Sequence, residues 1–140
     1  MDAAVTRVVA AAAVEPNRRR GGDLRVLLSP RTVESTSGFL GVLRLAPDEF
    51  VSEHYHPYSE EFLYVVSGSL TVLLDGEPLE VATGSGIFVP IGVRHRVENR
   101  GTVPAEAVFQ LGPLAPEPAL GHVDTEPLPD PDAAQPQVTG

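Results

Sequence analysis

Cysteine is absent from the 140 residues, which excludes both a disulfide framework and a thiolate metal site. Lysine is absent too. The ten basic side chains are all arginine, against nineteen acidic ones, for a net charge of -9. A chain this acidic has no dense basic face, so nucleic-acid binding is not expected. Long apolar runs are also missing. The best candidate, Val8–Val14, is too short to cross a membrane. As a secretion signal it lacks the basic flank, because Asp2 stands there and Arg7 interrupts the run. A cytoplasmic protein without membrane attachment is expected. No internal repeat and no sustained helical period occurs, which leaves one domain built from strands.

What the chain does contain is short β-prone segments. Its hydrophobic content of 42% and charged content of 21% suit a globular domain of this length. Strands are expected at Val5–Val9, Leu24–Leu28, Gly38–Leu45, Glu49–His56, Glu61–Val66, Leu70–Leu74, Leu79–Ala82, Ile87–Val89, Val93–Val97 and Ala105–Leu111. In Gly38–Leu45, period-two alternation puts Phe39, Gly41, Leu43 and Leu45 on one face. Asp75-Gly76 is a hairpin signal, since such turns need positive φ. Many short strands with turns at close spacing predict an all-β, jelly-roll-like sandwich or barrel over residues 1–126. The Pro- and Asp-rich residues 127–140 have little to bury and are expected to be disordered. The first strand, in an otherwise exposed apolar run, is expected at a homodimer interface. Arg18-Arg19-Arg20 is read as a solvated charge run rather than an anion site.

The chemistry centres on His54-Tyr55-His56. Side chains two apart on a strand share a face, so His54 and His56 can present ring nitrogens to one point. A turn at Pro57 and Ser59 leads into the acids Glu60 and Glu61, which have opposite parity. Glu61 is taken as inward and Glu60 as outward. A second stretch runs Gly84 to Asn99, a strand, a Pro90-Ile91-Gly92 turn and a second strand with Val93, His95 and Val97 on one face. Three imidazoles and a carboxylate make a ligand set for a divalent transition metal.

These stretches resemble the two cupin motifs. The first matches as His54, His56, Glu61 and Gly68, with Asp48 where the motif has its opening glycine. The second matches as Gly84, Pro90, Gly92, His95 and Asn99. The resemblance implies a cupin fold and a metal site, and leaves the reaction open.

His122 is the fourth histidine, in Gly121-His122-Val123-Asp124-Thr125-Glu126. If Leu114–Glu126 crosses the mouth of the barrel, His122 can reach a metal or a substrate. This segment, residues 17–23 and residues 52–57 resemble the small cupin cyclases of bacterial aromatic polyketide pathways. That likeness implies ring closure in a poly-β-ketone chain, presented on an acyl carrier protein or free. It also implies a divalent cofactor: zinc is expected because no redox step is required, and iron or nickel would serve. Glu61, His122 or both complete the site of His54, His56 and His95, and whichever is not a ligand is free for catalysis. Leu43, Leu63, Val65, Val72, Val97 and Phe109 are the expected cavity wall. The alternatives are a cupin dioxygenase and a non-catalytic small-molecule binder.

Overall fold

The computed structural model describes residues 7–136 and 138. Ten strands follow in chain order: β1 (Asp23–Leu28), β2 (Phe39–Leu45), β3 (Phe50–Tyr55), β4 (Glu60–Ser67), β5 (Ser69–Leu74), β6 (Glu77–Ala82), β7 (Gly86–Val89), β8 (His95–Glu98), β9 (Ala105–Gly112) and β10 (Val123–Asp124). They form two antiparallel five-stranded sheets in the orders β1-β2-β9-β4-β7 and β10-β3-β8-β5-β6.

Alternation decides which side chains fill the space between the sheets. β9 buries Ala105, Ala107, Phe109 and Leu111, and β4 buries Glu61, Leu63 and Val65 while Phe62, Tyr64 and Val66 face outward. Leu43 and Leu45 of β2 join them, and Val51, Leu70, Val72, Val81 and Val97 come from the facing sheet. Gly41 is required where β2 crosses β9, because a Cβ there would meet the Phe109 ring at 2.5 Å. Asp75 and Gly76 both adopt positive φ in the β5–β6 hairpin, as expected. Asp48, in the place of the motif glycine, has φ of 70°, so the turn keeps the glycine-like conformation.

β3 carries a bulge. Val51 pairs with Val97 and His54 pairs with His95, so three steps on β3 match two on β8. The extra residue lets Val51, Ser52 and His54 all be buried, which strict alternation would forbid.

Four segments differ from expectation. Val5 and Thr6 of the expected first strand lie outside the described residues, and residues 7–10 form no strand; a 3-10 turn follows at Ala11–Ala13. The edge beyond β1 is met instead by an isolated bridge between Asn17 and Leu24. A one-turn helix, α1 (Pro30–Val33), is capped reciprocally by Ser29 and Thr32. β10 pairs with β3 only through Val123 and Asp124. Residues 127–136, expected to be disordered, lie along the 17–20 loop. Arg19 Nη1 donates to the carbonyls of Pro131 and Ala133, and Asn17 Nδ2 to that of Ala134. No helix among the described residues is long and apolar enough to cross a membrane.

Candidate metal centre

His54 on β3 and His95 on β8 face each other directly across the ladder, and His56 stands just beyond the end of β3. Their rings pack with centroids 4.4 to 5.0 Å apart. The three offer ligand atoms within 4.8 Å of one another. Each Nδ1 donates to a backbone carbonyl: His54 to Ser52 at 2.7 Å, His56 to Gly121 at 2.9 Å and His95 to Val93 at 3.0 Å. A carbonyl accepts only, so each neutral ring carries its proton on Nδ1 and keeps a lone pair on Nε2. The Nε2 atoms of His56 and His95 are buried without a hydrogen-bond partner. Orphaned acceptors converging in a buried place fit a cation.

Electrostatics favour the form that a metal needs. Burial first, then the neighbouring His95 and His56, hold His54 well below the ordinary imidazole range. Burial also lowers His95, against the pull of Glu61. Both rings are therefore neutral near pH 7.

Glu61, on β4 of the opposite sheet, completes the cluster. Its Oε1 lies 3.5 Å from His56 Nε2 and its Oε2 3.9 Å from His95 Nε2. Burial pushes this carboxyl up, but the neighbouring His56 and His95 outweigh it, so Glu61 stays below its ordinary value. It is buried, and Glu60 is half-buried on the other face, as parity requires.

His122 stands beside this cluster rather than in it. Its ring is 6.4 Å from that of His56, and its Nε2 is 2.7 Å from Gln135 Oε1. Burial, then Arg20, pushes it down to about 4.

The cluster opens into a cavity of about 370 Å³ between the sheets. Leu43, Leu63, Val97 and Phe109 line it as expected. Val65 and Val72 do not; they are fully enclosed in the core below it. Residues 114–118, 121–122, Pro136 and Val138 also line the cavity. Sequence reasoning missed Ser59, which donates to the Pro113 carbonyl at the wall, and Arg20. It also missed Gly121, whose carbonyl holds His56; a backbone acceptor leaves no mark in residue type. Ser59 sat in plain view as a turn residue, with no signal that its side chain is buried.

A model of the Cupin domain family matches residues 41–110. The tetracenomycin polyketide synthase protein TcmJ of Streptomyces glaucescens is 54% identical over 94% of this chain and 89% of its own length. Polyketide synthase CurC of Streptomyces cyaneus is 57% identical, over 90% and 82%. Among solved structures, the polyketide cyclase RemF of Streptomyces resistomycificus superposes with a TM-score of 0.67 and 21% identity, covering 90% of this chain and 89% of that one. RemF stands further from this chain in sequence than TcmJ and CurC do. The double sheet, the two motifs and these relatives agree: the chain belongs to the cupin family.

Proposed function

We propose that the protein is a metal-dependent polyketide cyclase. The observation that carries this is the meeting of an apolar cavity with three fixed imidazoles and an ionised carboxylate, in a chain 54% identical to a polyketide synthase protein. His54, His56 and His95 would hold a divalent ion, zinc by preference, which supplies Lewis-acid stabilisation of charge developing on a β-dicarbonyl oxygen.

The chain's own residues do the rest. Leu43, Leu63, Val97 and Phe109 hold a flexible poly-β-ketone folded on itself and exclude water, so the reacting carbons stay close. Glu61 takes a proton from a CH2 group between two carbonyls. The carbon left with the electron pair attacks a second carbonyl of the same chain, forming the ring bond. The carbonyl oxygen takes up a proton, and loss of that hydroxyl with a neighbouring hydrogen releases water. No oxidant enters the balance. His122, at the wall and held neutral, orients the folded chain. The substrate arrives free or on an acyl carrier protein, in the cytoplasm, at a homodimer.

Co-expression with a minimal polyketide synthase, followed by mass spectrometry, tests the reading. A change in the ring pattern of the products is expected, and unchanged products would end it. Metal analysis of protein purified without added metal separates the cyclase from an oxygenase. Zinc is expected, and iron or copper would favour oxygen chemistry.

A further inference from the structure

One charged group in the cavity wall has no part in this scheme. Arg20 is 7% exposed and lines the same cavity as the histidines. Its neighbours in the arginine triplet have other partners: Arg18 Nη1 donates to the Gly22 carbonyl and Arg19 Nη1 to carbonyls of the C-terminal segment. Arg20 turns the other way. Its Nε donates to Asp124 Oδ1 at 2.8 Å and its Nη2 to Asp124 Oδ2 at 3.2 Å. Gly21 and Gly22, both at positive φ, let this loop lie flat against β3.

That contact uses one edge of the guanidinium. Nη1 has no partner among the described residues, and it is not among the enclosed atoms that lack one. It is therefore accessible, on a residue that lines the cavity. Burial lowers the pKa of Arg20 and Asp124 offsets part of this, so the group stays charged. A latch between the loop and β10 would explain the Asp124 edge. It does not account for a second donor edge left unpaired on a residue that lines an apolar chamber.

The guanidinium is also tied to the metal ligands. The Arg20 carbonyl accepts the Ser52 N–H at 2.8 Å, and the Ser52 carbonyl accepts His54 Nδ1–H. Asp124, the partner of Arg20, pairs with His54 in the β10–β3 ladder. Arg20 and the first ligand thus share one rigid frame.

We infer that Arg20 is a positioning residue whose free edge holds an anionic oxygen of the substrate, a carboxylate or an enolate, at a fixed place relative to the histidines. This rests on the cyclase reading for the kind of substrate, and on geometry alone for the site.

Calorimetry on zinc-loaded protein tests it without turnover, using 3,5-dioxohexanoate and its methyl ester as probes. The ester keeps an enolisable diketone and lacks the carboxylate. If the carboxylate is the group held, Arg20→Gln weakens the acid about tenfold and spares the ester; if the enolate is held, it weakens both. Either outcome supports the site. Asp124→Asn serves as the control for the latch, since it loosens the ion pair while leaving the free edge in place. Arg20→Gln with unchanged affinity for both probes, at full zinc content and unchanged melting temperature, overturns the inference. So does equal weakening in Arg20→Gln and Asp124→Asn with equal loss of melting temperature, because the arginine is then only a latch. Failure of the wild type to bind either probe overturns it as well. Ring formation in co-expression is read separately: cyclised products with no Arg20 effect on binding sink this site alone, and probe binding through Arg20 without cyclised products sinks the cyclase reading alone.

Discussion

His56 is oriented by a carbonyl 65 residues further along the chain, that of Gly121. The three clustered histidines were legible as His-x-His plus one more on an alternating strand, because period two is a local property. The acceptors that fix their tautomers were not, because they depend on which loops meet. Removing any one imidazole leaves a pair that binds weakly, so His95→Ala is expected to lose most of its metal, as read by elemental analysis. Glu61→Gln, with three imidazoles intact, is expected to retain metal and to lose at least about a hundredfold in turnover, the ordinary worth of a general base. Metal lost from Glu61→Gln would make the carboxylate a ligand instead. Since His122 Nε2 is already engaged by Gln135, His122→Ala is expected to stay metal-replete and to alter substrate handling. Acid sensitivity follows from the same residue. His122 is lowered from 6.5 to about 4, so the folded state takes up fewer protons than the unfolded chain between those values. Its contribution to stability is complete above pH 6.5 and is lost as pH falls toward 4, by up to about 3 kcal/mol. His54 and His95 are shifted the same way. A denaturant series from pH 7 to pH 4 is expected to show a shallower decline for His122→Gln than for the parent.

At the scale of the element, β-prone runs and turn residues marked β5 and β6, whose buried residues do not alternate, while β2, β4 and β9 were marked by alternation. It failed for α1 and β10. Four and two residues are too short to carry a period, and β10 exists only because Asp124 and Glu126 find Arg20 and Arg96. The bulge in β3 was also hidden, for Ser52 and Glu53 resemble ordinary strand residues. In the core, Leu45 is fully enclosed, and Leu45→Ala is expected to cost about 2–5 kcal/mol in denaturant unfolding.

For the whole molecule, the outer face of the first sheet leaves Phe62, Tyr64 and Phe88 about half exposed, with the two phenylalanine rings 5.2 Å apart. An apolar patch of this kind, beside the edge strand β7, suits a second copy of the chain. Light scattering is expected to give a dimer at micromolar concentration and a monomer for Phe62→Glu.

The clustered histidines and Glu61 come from β3, β4, β8 and the turn after β3, all locked into ladders or against them. Part of the cavity wall comes from segments outside those ladders, residues 114–118 and 121–122, Pro136 and Val138. These two parts of the protein answer to different constraints. Substitutions, insertions or even exchange of residues 114–120 can reshape what the chamber admits without disturbing a ladder hydrogen bond or a ligand. The fold thereby separates the fixed histidine cluster from the segments that are free to vary around it.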